Sequence, residues 1–160
     1  MLLTVWRHGE AGLAPCDAER ELTARGRAEV VSAAEAFSLW ITQFGHPHVS
    51  HLRYSPLTRT SQTAAILNRL WHPACCVADE LLVPGASPTG GVWQTADAAA
   101  HVVLVSHEPF VSRAIALWSD DDALPSLLPS GSATLDVLSL ERGGATVLRH
   151  QSSPKGGSHE

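Results

Sequence analysis

Short apolar segments alternate with segments of helical periodicity along most of the chain, and this alternation constrains the fold more than any other feature. Residues 102–105 (VVLV) are wholly apolar, which is typical of a strand in the middle of a parallel sheet whose two faces are covered. Residues 2–6, 51–54 and 75–78 are further candidate strands. Because helices that connect parallel strands pack on both faces of a sheet, the sequence predicts an α/β fold, a three-layer α/β/α sandwich around a mostly parallel central sheet.

A long helix is predicted after the first strand. Thr23 favours the N-cap position of this helix, and Gly45 favours the position just after its end. Apolar residues recur between them in steps of three and four, which predicts one buried face formed by Val30, Ala34, Phe37, Ile41 and Phe44.

Prolines indicate where the later helices begin. Ser55 is a typical N-cap residue and Pro56 a typical first helical residue, so the pair predicts a helix after the second strand. Pro109 predicts a helix start after the strand at residues 102–105 in the same way. A further short helix is predicted over residues 92–99.

The last part of the chain is predicted to form the edge of the sheet. Residues 133–140 and 145–150 are expected to be strands joined by a turn at residues 142–144 (RGG), which adds an antiparallel edge strand. We expect a single domain over residues 1–150 and a polar C-terminal tail over residues 151–160.

Composition excludes several classes of protein. The chain has 160 residues and a formal net charge of −5, which argues against a nucleic-acid-binding surface. It contains neither a signal-peptide pattern nor an apolar run long enough to cross a bilayer, so we expect a cytoplasmic protein with no membrane partner. Three cysteines without a CxxC pair suggest neither a disulfide framework nor zinc. We therefore expect a monomer that needs no metal and no other cofactor.

Basic residues follow three of the predicted strands. Arg7 and His8 end the first strand, Arg59 lies one turn into the helix after the second, and His107 follows residues 102–105. Because the carboxyl ends of parallel strands meet at one edge of a sheet, we expect these four side chains to converge. Guanidinium groups and helix N-termini bind phosphate oxygens, and a neutral imidazole can accept a phosphoryl group. The sequence therefore predicts a metal-independent phosphoryl-transfer site, although His8 alone would be interpreted as a surface histidine.

The motifs around these residues resemble those of the histidine phosphatase (phosphoglycerate mutase-like) superfamily. Arg7-His8-Gly9-Glu10 resembles its RHG signature, and residues 22–26 (LTARG) are similar to its L-T-x-x-G segment. Residues 55–64 (SPLTRTSQTA) resemble its SP-x-x-R-x-x-Q-T-A helix start, and Ser106-His107 matches its second histidine. The motifs agree in order and spacing over roughly residues 1–140, and four ordered motifs are far more specific than one.

Within that superfamily, the short chain resembles the SixA-like phosphohistidine phosphatases. Arg20 is similar to an additional arginine in the substrate pocket of that group. Residues 80–85 (ELLVPG) loosely resemble its E-L-x-P-x-G segment, with the proline displaced by one residue. The short segment between Glu80 and His101 implies an open pocket, because mutases and sugar phosphatases of the superfamily usually carry a longer covering insertion there.

The resemblance implies a covalent mechanism with His8 as nucleophile. His8 would form a phosphohistidine that water hydrolyses, while Arg7, Arg59 and His107 would hold the phosphoryl oxygens. Nearby guanidinium groups should lower the pKa of His8 and keep its imidazole neutral. The remaining residues expected to contact the substrate are Arg20, Gly9, Ser106 and Glu108.

The identity of a general acid stays open at the level of sequence. Glu80 is the first candidate, because many members of the superfamily carry their acid at this junction, but a loop or capping role is an equal alternative. Glu108 follows the second histidine, where SixA-like proteins usually have no acidic residue, and it can equally favour the dipole of the next helix. Glu10 is expected to be a rim or orienting residue.

Three functions follow from this interpretation. The leading hypothesis is a metal-independent phosphohistidine phosphatase that acts on a phosphorelay or phosphotransfer protein. The alternative enzyme is a phosphatase for a small phosphomonoester. A pseudo-enzyme that only binds phosphorylated partners is less favoured, because binding alone does not require a nucleophilic histidine.

Overall fold

A six-stranded sheet with helices on both faces organises residues 1–154, the part of the chain that the structure, a computed structural model, describes. The strands lie in the order β3-β2-β4-β1-β5-β6. Their bounds are β1 (Leu2–Arg7), β2 (His51–Tyr54), β3 (Cys75–Ala78), β4 (His101–Ser106), β5 (Ser132–Val137) and β6 (Ala145–Gln151). The first four of these strands along the chain run parallel, and β5 pairs antiparallel with both β1 and β6. The predicted mostly parallel sheet with an antiparallel edge is confirmed.

The helices divide between the two faces of the sheet and create the three predicted layers. They are α1 (Ala24–Phe44), α2 (Thr58–Trp71) and α3 (Phe110–Ser119), and two 3-10 turns lie at Asp17–Glu19 and Glu80–Leu82. Leu3 and Val5 of β1 pack in the cluster that contains α3, whereas Trp6 packs in the cluster that contains α1 and α2. Alternate residues of one strand therefore bury into opposite layers, as the period of a strand requires.

The ends of α1 follow the sequence prediction, but one residue of its expected buried face does not. The Thr23 hydroxyl accepts a hydrogen bond from the Gly26 amide, and Gly45 ends the helix at a φ of 65°. Phe44 is 60% exposed, since it lies in the last turn beyond the edge of the core, so its predicted burial is wrong. A Cβ at Gly26 would collide with the backbone of Glu10, and this glycine therefore allows α1 to approach the loop after β1.

Two predicted helix starts shift, and one predicted helix is absent. The helix α2 begins at Thr58 after an N-cap at Leu57, so the prediction that Ser55 caps it is wrong. Pro109 occupies the N-cap of α3 rather than its first turn. Residues 92–99 are not helical. Trp93 is buried in the core but Val92 is exposed, so this segment lacks the repeated buried positions of an amphipathic helix.

A buried polar network joins side chains of the central strands β4, β1 and β5. The Nδ1–H of His101 donates to the carbonyl of Pro47 at 2.9 Å, since a carbonyl can only accept. Its Nε2 then accepts from the hydroxyl of Thr4 at 2.8 Å, and the hydroxyl of Thr134 lies 2.8 Å from that of Thr4. Burial lowers the pKa of His101 to about 4. The network is therefore satisfied only while His101 is neutral.

None of the helices among residues 1–154 is both long enough and apolar enough to cross a membrane. The strand β6 extends to Gln151, one residue beyond its predicted end. Of the predicted tail over residues 151–160, residues 155–160 lie outside the described part of the chain.

The first prediction concerns stability against acid. Between about pH 6.5 and pH 4 the unfolded chain binds a proton at His101 that the native state excludes. The contribution of His101 to the free energy of unfolding should therefore be fully present above about pH 6.5 and should decrease as the pH falls toward 4. The variant His101→Gln removes one titrating group and should reduce this dependence by up to about 1.4 kcal/mol per pH unit. Urea unfolding at several pH values between 7.5 and 4.5 measures the difference.

A matched control is available at the C-terminus of α2. His72 is exposed and has a φ of 47°, a conformation that asparagine tolerates, so His72→Asn should keep the wild-type pH dependence. An equal pH dependence in His101→Gln and in the wild type would show that His101 does not carry the effect.

Candidate active site

The parallel pairing of β1 and β4 places the two predicted catalytic histidines side by side. Arg7 lies opposite Ser106 in the register of these strands, so both strands end at the same level. The backbone N–H of His8 donates to the carbonyl of Ser106 at 3.1 Å. The rings of His8 and His107 consequently lie 5.2 Å apart, measured between centroids.

Hydrogen bonds fix the tautomer of His8. Its Nδ1 lies 2.7 Å from the carbonyl oxygen of Gly9, which can only accept, so Nδ1 carries the proton. The Nε–H of Arg59 donates to Nε2 at 3.3 Å, which requires a lone pair on that nitrogen. The nucleophilic lone pair of a neutral imidazole is therefore on Nε2, beside a guanidinium group.

The electrostatic surroundings keep His8 uncharged at neutral pH. Burial is the main cause that lowers its pKa to about 4, and the hydrogen bond to Gly9 opposes this shift. The positive charges of Arg59, Arg7 and Arg20 lower the pKa further. The predicted direction is confirmed, but desolvation contributes more than the arginines to which the sequence analysis attributed the shift.

Arg59 is held in the first turn of α2 by contacts that the sequence analysis did not identify. The hydroxyl of Thr63 donates to the carbonyl of Arg59 at 2.8 Å and accepts from the amide of Gly9 at 3.1 Å. The side-chain carbonyl of Gln62 accepts from the amide of Leu22 at 2.8 Å. The bond from Gly9 ties α2 to the residue after His8, and the bond from Leu22 ties α2 to the segment before α1. Gln62 and Thr63 are the QT pair of residues 55–64 (SPLTRTSQTA), so the motif contains these contacts although only its arginine is a predicted site residue.

Ser55 is a second site residue that the sequence analysis misplaced. Its hydroxyl lies 2.8 Å from Nε2 of His107, and both side chains are buried. Nδ1 of His107 is buried and has no hydrogen-bond partner among residues 1–154. Burial, followed by the charges of His8 and Arg59, lowers the pKa of His107 to about 3. His107 is therefore neutral. Its Nε2 lies beside the Ser55 hydroxyl, and its Nδ1 has no hydrogen-bond partner within residues 1–154.

Arg7 leaves β1 toward the loop that precedes β5. Its Nη1 donates to the carbonyl of Leu127 at 2.8 Å, while its Nε is buried and has no partner among the described residues. The amide of Ser130 donates to the carbonyls of both Arg7 and His8, at 3.2 and 3.0 Å. The loop at residues 127–130 thus fixes the direction of the Arg7-His8 pair.

Arg20 joins the site through Asp17, a residue that the sequence analysis left in a loop. Nε of Arg20 donates to the carbonyl of Gly12 at 2.8 Å, and Nη1 lies 3.3 Å from Oδ1 of Asp17. The other oxygen of this carboxylate, Oδ2, lies 3.2 Å from Nη2 of Arg59. Asp17 therefore connects the two arginines, and no motif in the sequence indicates this contact.

Two of the predicted site residues have different roles in the structure. The Ser106 hydroxyl, predicted to bind substrate, is buried and donates to the carbonyl of Leu82 at 2.7 Å. This bond anchors the turn at Glu80–Leu82, where the Glu80 side chain itself is exposed. The amide of Gly9 is occupied by Thr63, and a Cβ at Gly9 would lie 2.8 Å from Cγ2 of Val30. Ser106 and Gly9 hence support the site rather than line it.

The other two candidate carboxylates accept hydrogen bonds from neighbouring hydroxyl groups. Glu108 accepts from Ser112 at 2.6 Å. Burial lowers the pKa of Arg7, and the charge of Glu108 opposes this shift. Glu10 accepts from the hydroxyl of Thr23 at 2.9 Å. Both carboxylates therefore accept hydrogen bonds beside the N-termini of α1 and α3.

The arrangement has the chemistry of an oxyanion site. Three guanidinium groups and two neutral imidazoles surround the carboxyl ends of β1 and β4. Within residues 1–154, no group of three or more His, Cys, Asp or Glu side chains could hold a metal ion. Such a site can bind a tetrahedral anion by its guanidinium groups and present Nε2 of His8 to its central atom.

Comparisons with known proteins identify the fold. The sequence matches no protein-family model and no curated protein. The structure of the protein histidine phosphatase SixA complexed with tungstate is 24% identical, with a TM-score of 0.75 and coverage of 96% of this chain and 97% of that one. The SixA protein of Agrobacterium tumefaciens is 23% identical, with a TM-score of 0.70 and coverage of 92% and 95%.

A small-molecule phosphatase shares the same architecture. The mycobacterial glucosyl-3-phosphoglycerate phosphatase complexed with inorganic phosphate is 18% identical, with a TM-score of 0.63 and coverage of 96% of this chain and 98% of that one. These structures align over nearly their whole lengths. The chain has the fold of the histidine phosphatases, as the motif resemblance implied.

Proposed function

We propose that this protein is a metal-independent phosphohistidine phosphatase of the histidine phosphatase superfamily, acting on a phosphorelay or phosphotransfer protein. The observation that carries the proposal is the imidazole of His8. The carbonyl of Gly9 fixes its proton on Nδ1, and its pKa of about 4 leaves Nε2 unprotonated at neutral pH. A buried neutral imidazole between arginines is suited to attack an anion that those arginines bind.

The first chemical step transfers the phosphoryl group between two imidazoles. Nε2 of His8 bonds to phosphorus while the P–N bond of the substrate breaks, and the substrate histidine leaves as neutral imidazole if its other nitrogen is protonated. The positive charge that leaves the substrate ring appears on the ring of His8. The Gly9 carbonyl, already on Nδ1–H at 2.7 Å, stabilises this charge as it develops.

Water completes the cycle. It attacks phosphorus on the side opposite Nε2, the Nε2–P bond breaks, and the phosphate leaves as H₂PO₄⁻ with both protons of the water. His8 returns to the neutral tautomer with its proton on Nδ1. Each step conserves charge and protons without an acid from the protein.

In this mechanism, the guanidinium groups bind the oxygens of the transferred phosphoryl group. Arg59 loses its acceptor when the Nε2 lone pair bonds to phosphorus, so its Nε–H becomes available for a phosphoryl oxygen. The buried Nε of Arg7 and Nδ1 of His107, both without partners within residues 1–154, are the other donors. Hydrogen-bond donors placed in this way stabilise the equatorial oxygens of the transition state.

The leaving group distinguishes this function from the alternative. An ester leaves as an alkoxide and needs a proton, whereas a phosphohistidine leaves as imidazole. The Asp17 carboxylate contacts Arg20 and Arg59 of the site. The hydrogen bond from Arg20 and the charge of Arg59 lower its pKa. An ionised carboxylate cannot protonate an alkoxide, and this favours the phosphohistidine substrate.

A small phosphomonoester is the second candidate substrate. Its support is the position of Glu80, whose turn is anchored beside the end of β4 by the bond between Ser106 and Leu82. The likeness to the mycobacterial glucosyl-3-phosphoglycerate phosphatase is consistent with it. In this alternative, Glu80 would supply the proton to the leaving alkoxide.

The setting that we propose is a monomer in the cytoplasm. Cys16, Cys75 and Cys76 are free thiols, which suits a reducing compartment.

The second prediction tests the nucleophile. His8→Ala should lower hydrolysis of a phosphohistidine protein by at least about a thousandfold, because the covalent step is lost. Rapid acid-free quenching of the wild type with radiolabelled phosphoprotein should trap label on His8. The control His72→Asn should retain both activity and labelling. Full activity in His8→Ala would show that the covalent mechanism is wrong.

The third prediction tests the substrate. Turnover of a phosphohistidine protein should exceed that of a panel of phosphate esters, and Glu80→Gln should leave it within about twofold of wild type, since no acid is required. Parallel kcat/KM measurements for both substrate classes check this. Faster ester turnover that depends on Glu80 would instead establish the phosphomonoesterase.

The fourth prediction concerns the tautomer of His107. If the Ser55 hydroxyl donates to Nε2, then Nδ1 carries the proton and can donate to a phosphoryl oxygen. Ser55→Ala removes the hydrogen bond that selects this tautomer of His107. It should lower kcat about tenfold, which is less than the effect of removing a hydrogen-bond donor to the phosphoryl group.

A double-mutant cycle separates this role from a general loss of structure. In the background of His107→Ala, the change Ser55→Ala should have no further effect on kcat, because its target is absent. Additive losses in the double variant would show that Ser55 acts independently of His107. Thermal unfolding of all four proteins verifies that each is folded.

A further inference from the structure

The Asp17 carboxylate occupies the donors of two arginines at once. Its Oδ1 lies 3.3 Å from Nη1 of Arg20 and its Oδ2 lies 3.2 Å from Nη2 of Arg59. The backbone carbonyl of the same residue accepts from Nη1 of Arg59 at 2.8 Å. The side chain is 62% exposed, whereas that of Arg59 is buried. An exposed anion at the surface is thus paired with a buried cation below it.

A bound phosphate would need the same positive groups. Carboxylate and phosphate oxygens both pair with the fork of a guanidinium, so the two anions compete for its N–H groups and repel each other. The backbone bond to Arg59 can persist while the exposed side chain rotates into solvent. Asp17 is ionised at neutral pH, because both guanidinium groups favour its charged form.

On the basis of the proposed function, we infer that Asp17 is an internal competitor for the phosphate subsite and sets its affinity for the free phosphate anion. A phosphoprotein gains contacts outside this subsite that offset the competition, but released inorganic phosphate has none. The carboxylate therefore returns to Arg20 and Arg59 as phosphate leaves. The residue lowers product inhibition without taking part in the chemical step.

Glu19 provides a matched control two residues away. It lies in the same 3-10 turn, is exposed and carries the same charge, but its side chain makes no hydrogen bond or ion pair within residues 1–154. Asp17→Asn and Glu19→Gln each remove one negative charge from the turn. Only the first removes it from the arginines, so the pair separates local competition from a change of overall charge.

The experiment is a calorimetric titration of the wild type, Asp17→Asn, Glu19→Gln and Arg59→Ala with inorganic phosphate and with tungstate. Asp17→Asn should bind both anions about fivefold more tightly than the wild type at low salt, and Glu19→Gln should bind as the wild type does. The difference should shrink as ionic strength rises, because exposed charges are screened. In steady-state assays, the inhibition constant of phosphate for Asp17→Asn should fall by the same factor.

The outcomes that overturn this inference differ from those that overturn the function. Equal affinity in Asp17→Asn and the wild type would show that no competition exists, while the phosphatase proposal would stand. Weaker binding in Asp17→Asn would show that Asp17 positions Arg59 for phosphate, which also overturns the inference. If the wild type bound neither anion and matched Arg59→Ala, the subsite itself and the proposed function would both be wrong.

Discussion

The parallel pairing of β1 with β4 is the constraint on which the site depends. It places Arg7 opposite Ser106, so His8 and His107 leave neighbouring strands at the same level. A shift of one residue would exchange the two buried faces of β1, because alternate residues face opposite layers. Thr4 adds to this specificity, since its hydroxyl bonds His101 of β4 and lies beside Thr134 of β5. The core and the geometry of the candidate site are therefore fixed by one register.

Periodicity predicted the elements because burial is repeated along the chain. The wholly apolar residues of β4 and the stripe of α1 are local patterns, and both appear where expected. Ser55 shows the limit of this reasoning. Its type favours an N-cap, but a contact with His107, 52 residues away, determines where its hydroxyl points. Asp17 is similar, because its partners Arg20 and Arg59 meet only after α2 packs against its turn.

The fold alone leaves the substrate open. The same architecture is present in a protein histidine phosphatase and in a glucosyl-3-phosphoglycerate phosphatase. What can differ between such proteins is the set of polar groups around the edge of the shared sheet, since function lies in sites rather than in folds. In this chain Glu10 and Glu108 are engaged by hydroxyl groups and Asp17 by arginines. That distribution favours a leaving group that needs no acid, whereas the exposed Glu80 is the candidate acid for an ester.

The site also has to hold three like charges close together before any anion binds. Each guanidinium donates to a backbone carbonyl: Arg7 to Leu127, Arg20 to Gly12 and Arg59 to Asp17. A carbonyl dipole orients a guanidinium and satisfies part of its hydrogen bonding, yet it leaves the net positive charge in place for an incoming phosphate. The histidines add no charge, because burial keeps both neutral. The backbone thus fixes the positions of the cations, and the carboxylate that contacts both Arg20 and Arg59 belongs to the exposed side chain of Asp17.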